Sequence, residues 1–402
     1  MKPAVLFVHG NSELYGADFI LLEVVRALKG QVRPIVALPS EGQLTRILRR
    51  EGVQVHLTRE SVLRRVNFKP KKLPRLFWNM AQDISDLKRI IRRENVALVY
   101  SNTAAVVTGA IAARLCKIPN LYHIHEILVR PPWLARMITR MVLTNASEVV
   151  TVSNAAREHL KKYGRLGDPS VRVIHNGLDP ASYDHVEGIE KIRGEMGAGP
   201  ENILYGVIGR IHPGKGQPYF IEAARLVADV CPQARFVMVG GTFTGYEYLL
   251  DELRQHIARL NLERVVKVLP YRTDVPRLMQ ALDVFVLPST GPDSLPTVVL
   301  EAMAARRPVI ATPTGGAREM VLHGETGFLA PSNDVTAFAE SMLELARDDE
   351  KRRRMGEAGR RRLEECFSRD RFFADVCDCV NHHLQLTGAA PKAKNLKAIA
   401  TH

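Results

Sequence analysis

The chain has 402 residues and a formal net charge of +13, with 46% hydrophobic and 25% charged residues. This length and composition are typical of an ordinary soluble globular protein with two domains. No run of 18 or more apolar residues is present, which excludes an ordinary transmembrane helix.

The N-terminal and cysteine patterns indicate a cytoplasmic protein. The first apolar run, Ala4–Val8, is too short for the apolar core of a signal peptide. The five cysteines are scattered, and only Cys377 and Cys379 lie close together. A single intervening residue is poor spacing for a metal site, so we expect reduced cysteines, no bound metal and a cytoplasmic location.

Short β-branched runs alternate with amphipathic helical stretches in the first half of the chain. The predicted helices include Ala17–Leu28, Ile84–Arg93 and Ala104–Leu115. The predicted strands are Ala4–Val8, Pro34–Leu38, Gln54–Leu57, Ala97–Tyr100, Leu121–Ile124, Glu148–Val152 and Val171–Ile174. This alternation predicts a parallel sheet covered by helices on both faces.

The excess positive charge lies entirely in this first half. Residues 1–185 carry 28 lysine and arginine residues against 15 acidic ones, whereas residues 186–402 carry 28 of each. A basic half indicates an anionic partner, which could be nucleic acid, phosphorylated lipid or an acidic membrane surface. The alternative is that the charge serves solubility alone.

The segment Arg59–Arg93 is the most basic, with eleven lysine and arginine residues and three acidic ones. Leu73, Phe77 and Trp78 lie among them. Basic residues beside exposed aromatic rings suit docking on an anionic bilayer, so we predict a membrane surface. The predicted surface comprises Arg64, Arg65, Lys69, Lys71, Lys72, Arg75 and Trp78. The alternative is a basic surface helix whose aromatic residues pack into the core.

The second half repeats the α/β alternation after a segment rich in glycine and glutamate, residues 179–200. Its predicted strands are Ile203–Ile208, Phe236–Val239, Val265–Leu269, Val284–Leu287, Val309–Ala311 and Gly327–Leu329. The sequence therefore predicts two doubly wound α/β domains. Ligands of such sheets bind beyond the carboxyl ends of the strands, so we expect the site in a cleft between the domains.

A basic, glycine-rich loop follows the first strand of this half. Gly209, Gly214 and Gly216 allow close backbone approach to a ligand, and a helix is predicted from about Gln217. Arg210 can clamp two phosphate oxygens, and Lys215 adds a mobile positive charge. The pattern is neither a Walker A loop nor G-x-G-x-x-G. A strand-to-helix turn with solvated charges is the alternative.

A second loop-to-helix segment carries the candidate carboxylates. Asp293 or Ser294 is predicted to cap a helix with Pro296 in its first turn, which places free amides near an anion. Thr297 and Glu301 are four residues apart and share one helix face. Glu301 interrupts an apolar run, and a buried carboxylate is costly unless it is paired, which suggests a ligand role. The alternative is a glutamate on the solvent face.

The C-terminal part is predicted to be helical over Lys351–Arg362 and Phe367–Leu386. The domain prediction has four parts: residues 1–185 as the first α/β domain, 186–366 as the second α/β domain, 367–386 as a helix that crosses back to the first domain, and 387–402 as a disordered tail.

Several motifs in a fixed order resemble one family. Arg210 and Lys215 are followed by Asp293 and Glu301 with seven residues between them. The further matching segments are Tyr15–Ala17, His123–Glu126, Val152–Asn154, Ile174–Asp179, Ala311–Glu319 and His323–Phe328. Together they resemble the group 1, or family 4, retaining glycosyltransferases of GT-B fold, over roughly residues 4–375.

The resemblance implies a role for each matching residue. Arg210 and Lys215 would neutralise the leaving diphosphate, and Glu301 would bind the ribose hydroxyls. Gly16 and Gly209 would lie beside the diphosphate, and His125 would contact the donor sugar near the reacting carbon. Asp293, Ser294, Leu295, Pro296 and Thr297 would hold the transferred sugar and phosphate, and Tyr271 and Arg272 would contact the base. The family usually has glutamate at the position of Asp293, which is one methylene shorter.

The resemblance also implies a mechanism. The anomeric configuration would be retained by attack on the same face, with a donor phosphate oxygen receiving the acceptor's proton. Fixed positive charge stabilises a leaving diphosphate, and no Asp-x-Asp motif is present to hold a divalent ion, so we expect no metal and no other cofactor. The expected donor is a UDP- or GDP-linked sugar, and residues 186–366 would form the nucleotide-sugar domain. The expected acceptor is lipid-linked or an oligosaccharide, and residues 1–185 would form the acceptor-binding domain, with the basic surface of Arg59–Arg93 as its acceptor and membrane surface. We expect the protein to be cytoplasmic and to bind peripherally at the inner face of the membrane.

Two other functions are open to the same sequence. A nucleotide-sugar epimerase could use the same fold and isomerise the donor without an acceptor. A nucleic-acid-binding protein could use the basic first half, but the sequence contains no recognition motif for nucleic acid, and we expect no such partner.

Overall fold

A computed structural model describes residues 2–59, 61–63, 70–243 and 245–389. These residues divide into two compact units. The first comprises the chain up to Val152, Ala156–Ile174 and the chain from Phe372 onward, and the second comprises Ser153–Ala155 and His175–Arg371. The second unit therefore begins at His175, upstream of the predicted boundary at residue 186. The division falls there because the last strand of the first sheet ends at Val173.

The first unit contains a seven-stranded parallel sheet in the order β3-β2-β1-β4-β5-β6-β7. Its strands are β1 (Ala4–His9), β2 (Arg33–Leu38), β3 (Gln54–Leu57), β4 (Val96–Asn102), β5 (Asn120–Ile124), β6 (Glu148–Thr151) and β7 (Val171–Val173). Its helices are α1 (Gly16–Leu28), α2 (Gln43–Arg50), α3 (Leu73–Arg93), α4 (Thr108–Cys116), α5 (Pro132–Asn145) and α6 (Asn154–Lys161). The strand order reverses direction between β1 and β4, which makes their carboxyl ends the switch point of this sheet.

The second unit contains a six-stranded parallel sheet in the order β10-β9-β8-β11-β12-β13. Its strands are β8 (Ile203–Ile208), β9 (Ala234–Val239), β10 (Val266–Leu269), β11 (Val284–Leu287), β12 (Val309–Ala311) and β13 (Gly327–Leu329). Its helices are α7 (Ile189–Glu195), α8 (Gln217–Val230), α9 (Tyr248–Arg259), α10 (Val275–Ala281), α11 (Thr297–Ala304), α12 (Ala317–Met320), α13 (Val335–Arg347) and α14 (Asp349–Cys366). The order reverses between β8 and β11.

The strand predictions agree with the structure to within two residues at each end, because most strands are local apolar runs that are buried on both faces. The strands β3, β7 and β10, at the edges of the sheets, are only partly buried. The predicted α/β fold class is confirmed.

Two helix predictions were wrong at their starts. The helix predicted from Ile84 begins at Leu73, where Pro74 fits the first turn. The helix predicted from Ala104 begins only at Thr108. The intervening segment is irregular because Thr103 has a φ of 99°, a conformation that β-branched residues rarely adopt and that a helix cannot contain.

The last helix, α15 (Arg369–Leu386), packs in the core of the first unit. Its buried residues there are Phe372, Val376, Cys379, Val380 and Leu384. His383 Nε2 lies 2.9 Å from an oxygen of Glu148 on β6. Two backbone bonds close the helix at Gly388 and Ala389, so the predicted tail begins later than residue 387. Residues 390–402 lie outside the described residues.

Candidate functional site

The second unit brings three loops together at the carboxyl ends of β8, β11 and β12. They comprise residues 209–216, 288–296 and 312–316. The carbonyl of Gly214 accepts hydrogen bonds from the backbone N–H groups of Thr290 and Gly291, at 3.1 and 3.0 Å. The N–H of Gly316 donates to the carbonyl of Asp293 at 2.8 Å. The segments that contain the predicted phosphate and carboxylate residues are thus adjacent and bonded to each other.

Glycine is required at two points of this packing. Gly216 has a φ of 72°, and a Cβ there would lie 1.8 Å from the carbonyl oxygen of Pro288. Gly315 has a φ of 57°, and a Cβ there would lie 1.8 Å from the carbonyl oxygen of Asp293. Side chains at these positions would force the loops apart.

Arg210 and Lys215 concentrate positive charge on the first of the three loops. The guanidinium carbon of Arg210 lies 3.6 Å from the centre of the Phe243 ring. The Lys215 ammonium donates to the carboxylate of Asp293. Burial lowers the pKa of His212, which lies between them in the chain, and the positive charges of Lys215 and Arg210 lower it further. The field of this loop therefore favours an anion.

The predicted cap of the carboxylate helix was wrong. Helix α11 begins at Thr297, and Pro296 occupies the N-cap position without a side-chain cap hydrogen bond. The Asp293 carboxylate is instead bound to Lys215, and Ser294 is buried where its loop packs on Gly316. Leu295 is also buried, so this stretch presents backbone rather than apolar side chains to a ligand.

Glu301 lies one turn into α11 and is half-buried between buried neighbours. Among the described residues, none donates a hydrogen bond to its carboxylate. Burial raises the pKa of Glu301 to about 7. A carboxylate in this state can gain from a ligand that donates hydrogen bonds to it.

Tyr271 and Arg272 follow β10, and the structure gives them different surroundings. Tyr271 is exposed, and its Cβ lies close to Gly241. Arg272 forms ion pairs with Asp274 and Glu195, at 2.5 and 2.6 Å, and the hydrogen bonds that it donates to these carboxylates raise its pKa. Its guanidinium thus ties the loop to α7, which reduces the donors it can offer to a base.

The switch point of the first unit holds a polar cluster. His9 ends β1 and Asn102 ends β4, and they are register partners in the sheet. His9 Nε2 lies 2.6 Å from a carboxylate oxygen of Asp18 on α1. The other oxygen of Asp18 accepts from the N–H of Tyr15 at 2.9 Å, which orders the turn before Gly16, the first residue of α1.

His125 follows β5 and joins this cluster. Its Nε2 lies 2.8 Å from the amide oxygen of Asn102. The Glu126 carboxylate accepts from the N–H of His125 at 3.0 Å and from that of Ala104 at 2.7 Å. Burial holds the pKa of His125 well below its usual value, with His123 and His9 acting in the same direction. His125 is therefore a neutral imidazole with a fixed ring.

Sequence reasoning missed four residues of these sites: His9, Asp18, Asn102 and Phe243. The first three follow or face the carboxyl ends of β1 and β4, which become neighbours only in the folded sheet. A polar residue directly after an apolar strand was the available signal for His9 and Asn102.

The predicted membrane surface is partly visible. Lys71 and Lys72 precede α3, and Arg75 and Trp78 lie in its first two turns, all exposed. Trp78 is 65% exposed and the neighbouring Phe77 is 62% exposed, so these rings do not pack into the core. Arg64, Arg65 and Lys69 lie outside the described residues.

Comparison with known proteins gives matches along both units. The family described as "Glycosyltransferase Family 4" matches residues 15–182, and "Glycosyl transferases group 1" matches residues 188–362. The alpha-maltose-1-phosphate synthase of Mycobacterium tuberculosis H37Rv is 30% identical over 297 residues, which cover 67% of this chain and 75% of that protein. A UDP-Gal:alpha-D-GlcNAc-diphosphoundecaprenol alpha-1,3-galactosyltransferase of Escherichia coli is 26% identical over 290 residues, which cover 66% and 70%.

A solved structure extends the match to almost the whole chain. Alr3699/HepE of Anabaena in complex with UDP-glucose has a TM-score of 0.81 and 27% identity, over 94% of this chain and 99% of that one. Both units, their strand orders and the loops at their switch points are thus accounted for by one fold. The chain belongs to the group 1, or family 4, glycosyltransferases of GT-B fold, which act with nucleotide-sugar donors.

Proposed function

We propose that this protein transfers a hexose or N-acetylhexosamine from a UDP- or GDP-linked sugar to a hydroxyl of a lipid-linked or glycan acceptor, in the synthesis of a surface polysaccharide or glycoconjugate. The observation that carries the proposal is the set of three backbone-bonded loops that places Arg210, Lys215 and Asp293 beside the helix that bears Glu301, whose carboxylate accepts no hydrogen bond from any described residue. The UDP-glucose complex of the Anabaena relative and the acceptor in the name of the Escherichia coli relative support this choice.

Arg210 and Lys215 bind and neutralise the donor diphosphate in this proposal. Arg210 offers a planar fork held over Phe243, and Lys215 exchanges the Asp293 carboxylate for a phosphate oxygen. Charge develops on the diphosphate as the glycosyl bond breaks, so fixed cations stabilise the transition state more than the ground state. We propose that this positive charge lets the reaction proceed without a divalent metal.

Glu301 binds the ribose in this proposal. An ionised carboxylate can accept hydrogen bonds from two adjacent hydroxyls, and Glu301 has no such donor among the described residues. Hydrogen bonds from the ribose hydroxyls would offset the free-energy cost of burying the charged carboxylate of Glu301.

The reaction retains the anomeric configuration, with attack on the same face as the leaving phosphate. The acceptor hydroxyl passes its proton to a donor phosphate oxygen, and the neutral His125 contacts the donor sugar without acting as a base. Support comes from the low pKa of His125, which leaves its ring neutral in the physiological range.

The first unit rests on an anionic membrane at the inner leaflet in this proposal. Phe77 and Trp78 on α3 and Trp133 on α5 are exposed, while Leu76 and Leu134 on the same helices pack in one buried cluster. The nearby exposed cations Lys71, Lys72, Arg75, Arg130 and Arg136 form no ion pair within the described part of the chain. Exposed aromatic rings surrounded by uncompensated cations match the chemistry of an acidic bilayer surface. Among the described residues, no helix has the length and apolar character of a membrane span.

Acceptor-dependent release of nucleoside diphosphate tests the transfer. We expect release of UDP or GDP only when donor and a lipid-linked or oligosaccharide acceptor are both present, and the products should retain the donor's anomeric configuration. Arg210→Ala and Lys215→Ala should each lower the rate by about 100-fold or more, because each removes a charge that faces the leaving group. Arg225→Ala, which removes an exposed arginine paired on α8, is the matched control and should leave the rate unchanged.

Two outcomes would contradict the proposal. Near wild-type rates in both the Arg210 and Lys215 variants would remove the phosphate assignment. Isomerisation of the donor sugar without any acceptor would favour an epimerase of the same fold.

The proposal that the reaction needs no divalent metal fails if chelation abolishes transfer and a divalent ion restores it.

A further inference from the structure

Asn102 is the residue through which the first-unit cluster reaches His125. Its amide nitrogen lies 3.2 Å from the carbonyl oxygen of Ala17, at the start of α1, and 3.1 Å from His9 Nδ1. Its amide oxygen lies 2.8 Å from His125 Nε2. Asn102 thus connects two elements that both border the predicted donor site of this unit.

The orientation of the Asn102 amide follows from its neighbours. A carbonyl oxygen only accepts, so the side of the amide that faces Ala17 must be the NH₂ group. The amide oxygen must then face His125, and an oxygen only accepts. His125 therefore donates from Nε2 and, as a neutral ring, carries no proton on Nδ1.

The backbone around Asn102 is held independently of the side chain. The next residue, Thr103, has a φ of 99°, and its N–H donates to the carbonyl of His123 at 2.8 Å. The Glu126 carboxylate ties Ala104 to His125 by two backbone hydrogen bonds. A strained residue fixed on both sides is typical of a segment whose geometry serves a site.

We propose that Asn102 is a positioning residue that fixes His125 in the Nε2-protonated tautomer, so that Nδ1 is presented as a hydrogen-bond acceptor to a hydroxyl of the donor sugar. The inference rests on the proposed contact of His125 with that sugar. His9 is held by the Asp18 carboxylate and keeps the amide nitrogen of Asn102 in place, which extends the positioning chain to α1.

The titratable groups around His125 come from four elements and from the segment that follows β5. His9 and Asp18 approach from β1 and α1, and Tyr100 lies on β4. His123 lies on β5, and Glu126 follows His125 in the chain. Burial lowers the pKa of His123 to about 3 and raises that of Glu126. A carboxylate in place of the Asn102 amide would add a negative charge directly at His125 Nε2–H and raise the pKa of His125.

The ¹⁵N chemical shifts of the histidine rings test the tautomer directly. We expect the wild-type protein to show the Nε2–H form at His125 across pH 6–8, with the signal assigned by its loss in His125→Gln. An Nδ1–H form, or a mixture of the two, would overturn the inference without any measurement of activity.

Kinetics test the role of Asn102. Asn102→Leu removes the acceptor at Nε2 and should lower kcat by at least about 10-fold, because the wrong tautomer presents a donor where an acceptor is needed. Asn102→Asp keeps the acceptor oxygen and should recover kcat at pH 8 but lose it towards pH 6, where the wild-type kcat, measured with saturating donor, is unchanged. Asn120→Leu, at a buried asparagine that begins β5, is the matched control for a lost buried amide and should keep wild-type activity per folded molecule.

The outcomes separate this inference from the function on which it rests. Full activity of His125→Ala would remove the proposed sugar contact of His125. A strong loss in His125→Ala together with wild-type kcat and pH profile in both Asn102 variants would overturn the positioning role alone.

Discussion

At the residue scale, the charged side chains at the site of the second unit differ in how fully other residues pair with them. Lys215 and Asp293 satisfy each other, Arg272 is bound by two carboxylates, and Glu301 has no hydrogen-bond donor among the described residues. A ligand that reaches this unit therefore competes for Lys215 but meets an uncompensated carboxylate at Glu301. Glu301 is the residue at which binding and ionisation should be most clearly coupled.

Glu301 should make nucleotide affinity and stability depend on pH near 7. The pKa of Glu301 in the folded protein is about 7, above its ordinary 4.5, so between these values the folded state retains a proton that the unfolded state has lost. The contribution to stability is complete below about pH 4.5 and declines as the pH rises through about 7. Ribose binding to the ionised carboxylate should tighten over the same rise.

Calorimetric titration of UDP or GDP at pH 6 and pH 8 checks this prediction. We expect tighter binding at pH 8 in the wild-type protein, and weaker binding without the pH step in Glu301→Gln. Glu325→Gln changes an exposed glutamate in the same unit and is the control. The same pH dependence in wild type and Glu301→Gln would exclude the ribose role.

At the element scale, α3 has one buried face and one exposed face. Leu76, Met80 and Leu87 are buried, whereas Phe77 and Trp78 point to solvent. Its acidic residues are engaged elsewhere, because Asp83 accepts from Ser61 at 2.6 Å and Asp86 pairs with Arg89. The N-terminal end of the helix is therefore both aromatic and cationic.

Charge reversal at the two ends of this segment should have different effects on membrane binding. Lys71→Glu/Lys72→Glu should abolish flotation with anionic liposomes, because each cation near a bilayer contributes about 1 kcal/mol to binding. Arg92→Glu/Arg93→Glu makes the same change in charge at the other end of α3 and should retain flotation. Wild-type protein should not float with neutral liposomes. Equal loss in both variants would indicate attraction by net charge alone.

At the scale of the whole molecule, α15 and β1 are far apart in the chain but pack in the same hydrophobic core of the first unit. Phe372 and Val376 on α15 pack in the same cluster as Val5 and Phe7 on β1. Hydrogen bonds at the surface strengthen this attachment, including that between Asn381 and Gln31, at 2.7 Å. The first unit is therefore discontinuous in sequence, and its stability depends on residues 350 or more positions apart.

Removal of one ring tests this dependence. Phe372→Ala should lower the free energy of unfolding of the first unit by about 3–5 kcal/mol, because the side chain is fully buried and leaves a cavity. Hydrogen exchange should accelerate in β1 and β2. Phe373→Ala truncates the adjacent, partly buried ring and should cost less. Equal effects of the two variants would show that α15 is not a core element.

Local sequence patterns were sufficient for the two parallel sheets and for two of the three loops of the second unit, whereas they left open whether the aromatic rings of α3 are exposed. Each depends on residues close together in the chain: apolar runs form strands, and glycine with adjacent cations forms a turn that accepts an anion. The helix starts at Leu73 and Thr108 were harder to predict from the sequence. The first depends on a proline in the first turn, and the second follows the strained Thr103.

The partners of the site residues were decided only by the tertiary structure. Lys215 and Asp293 are 78 residues apart, and His9 and Asn102 are 93 apart. They meet because β11 pairs with β8 and β4 pairs with β1, an order that periodicity along the chain does not encode. The sequence by itself predicted Arg210, Lys215 and Glu301 as residues that bind a nucleotide sugar. The tertiary structure decided that Lys215 is shared with Asp293, that Glu301 has no donor among the described residues, and that His125 is held by Asn102, because contacts between distant residues arise only when the strands assemble.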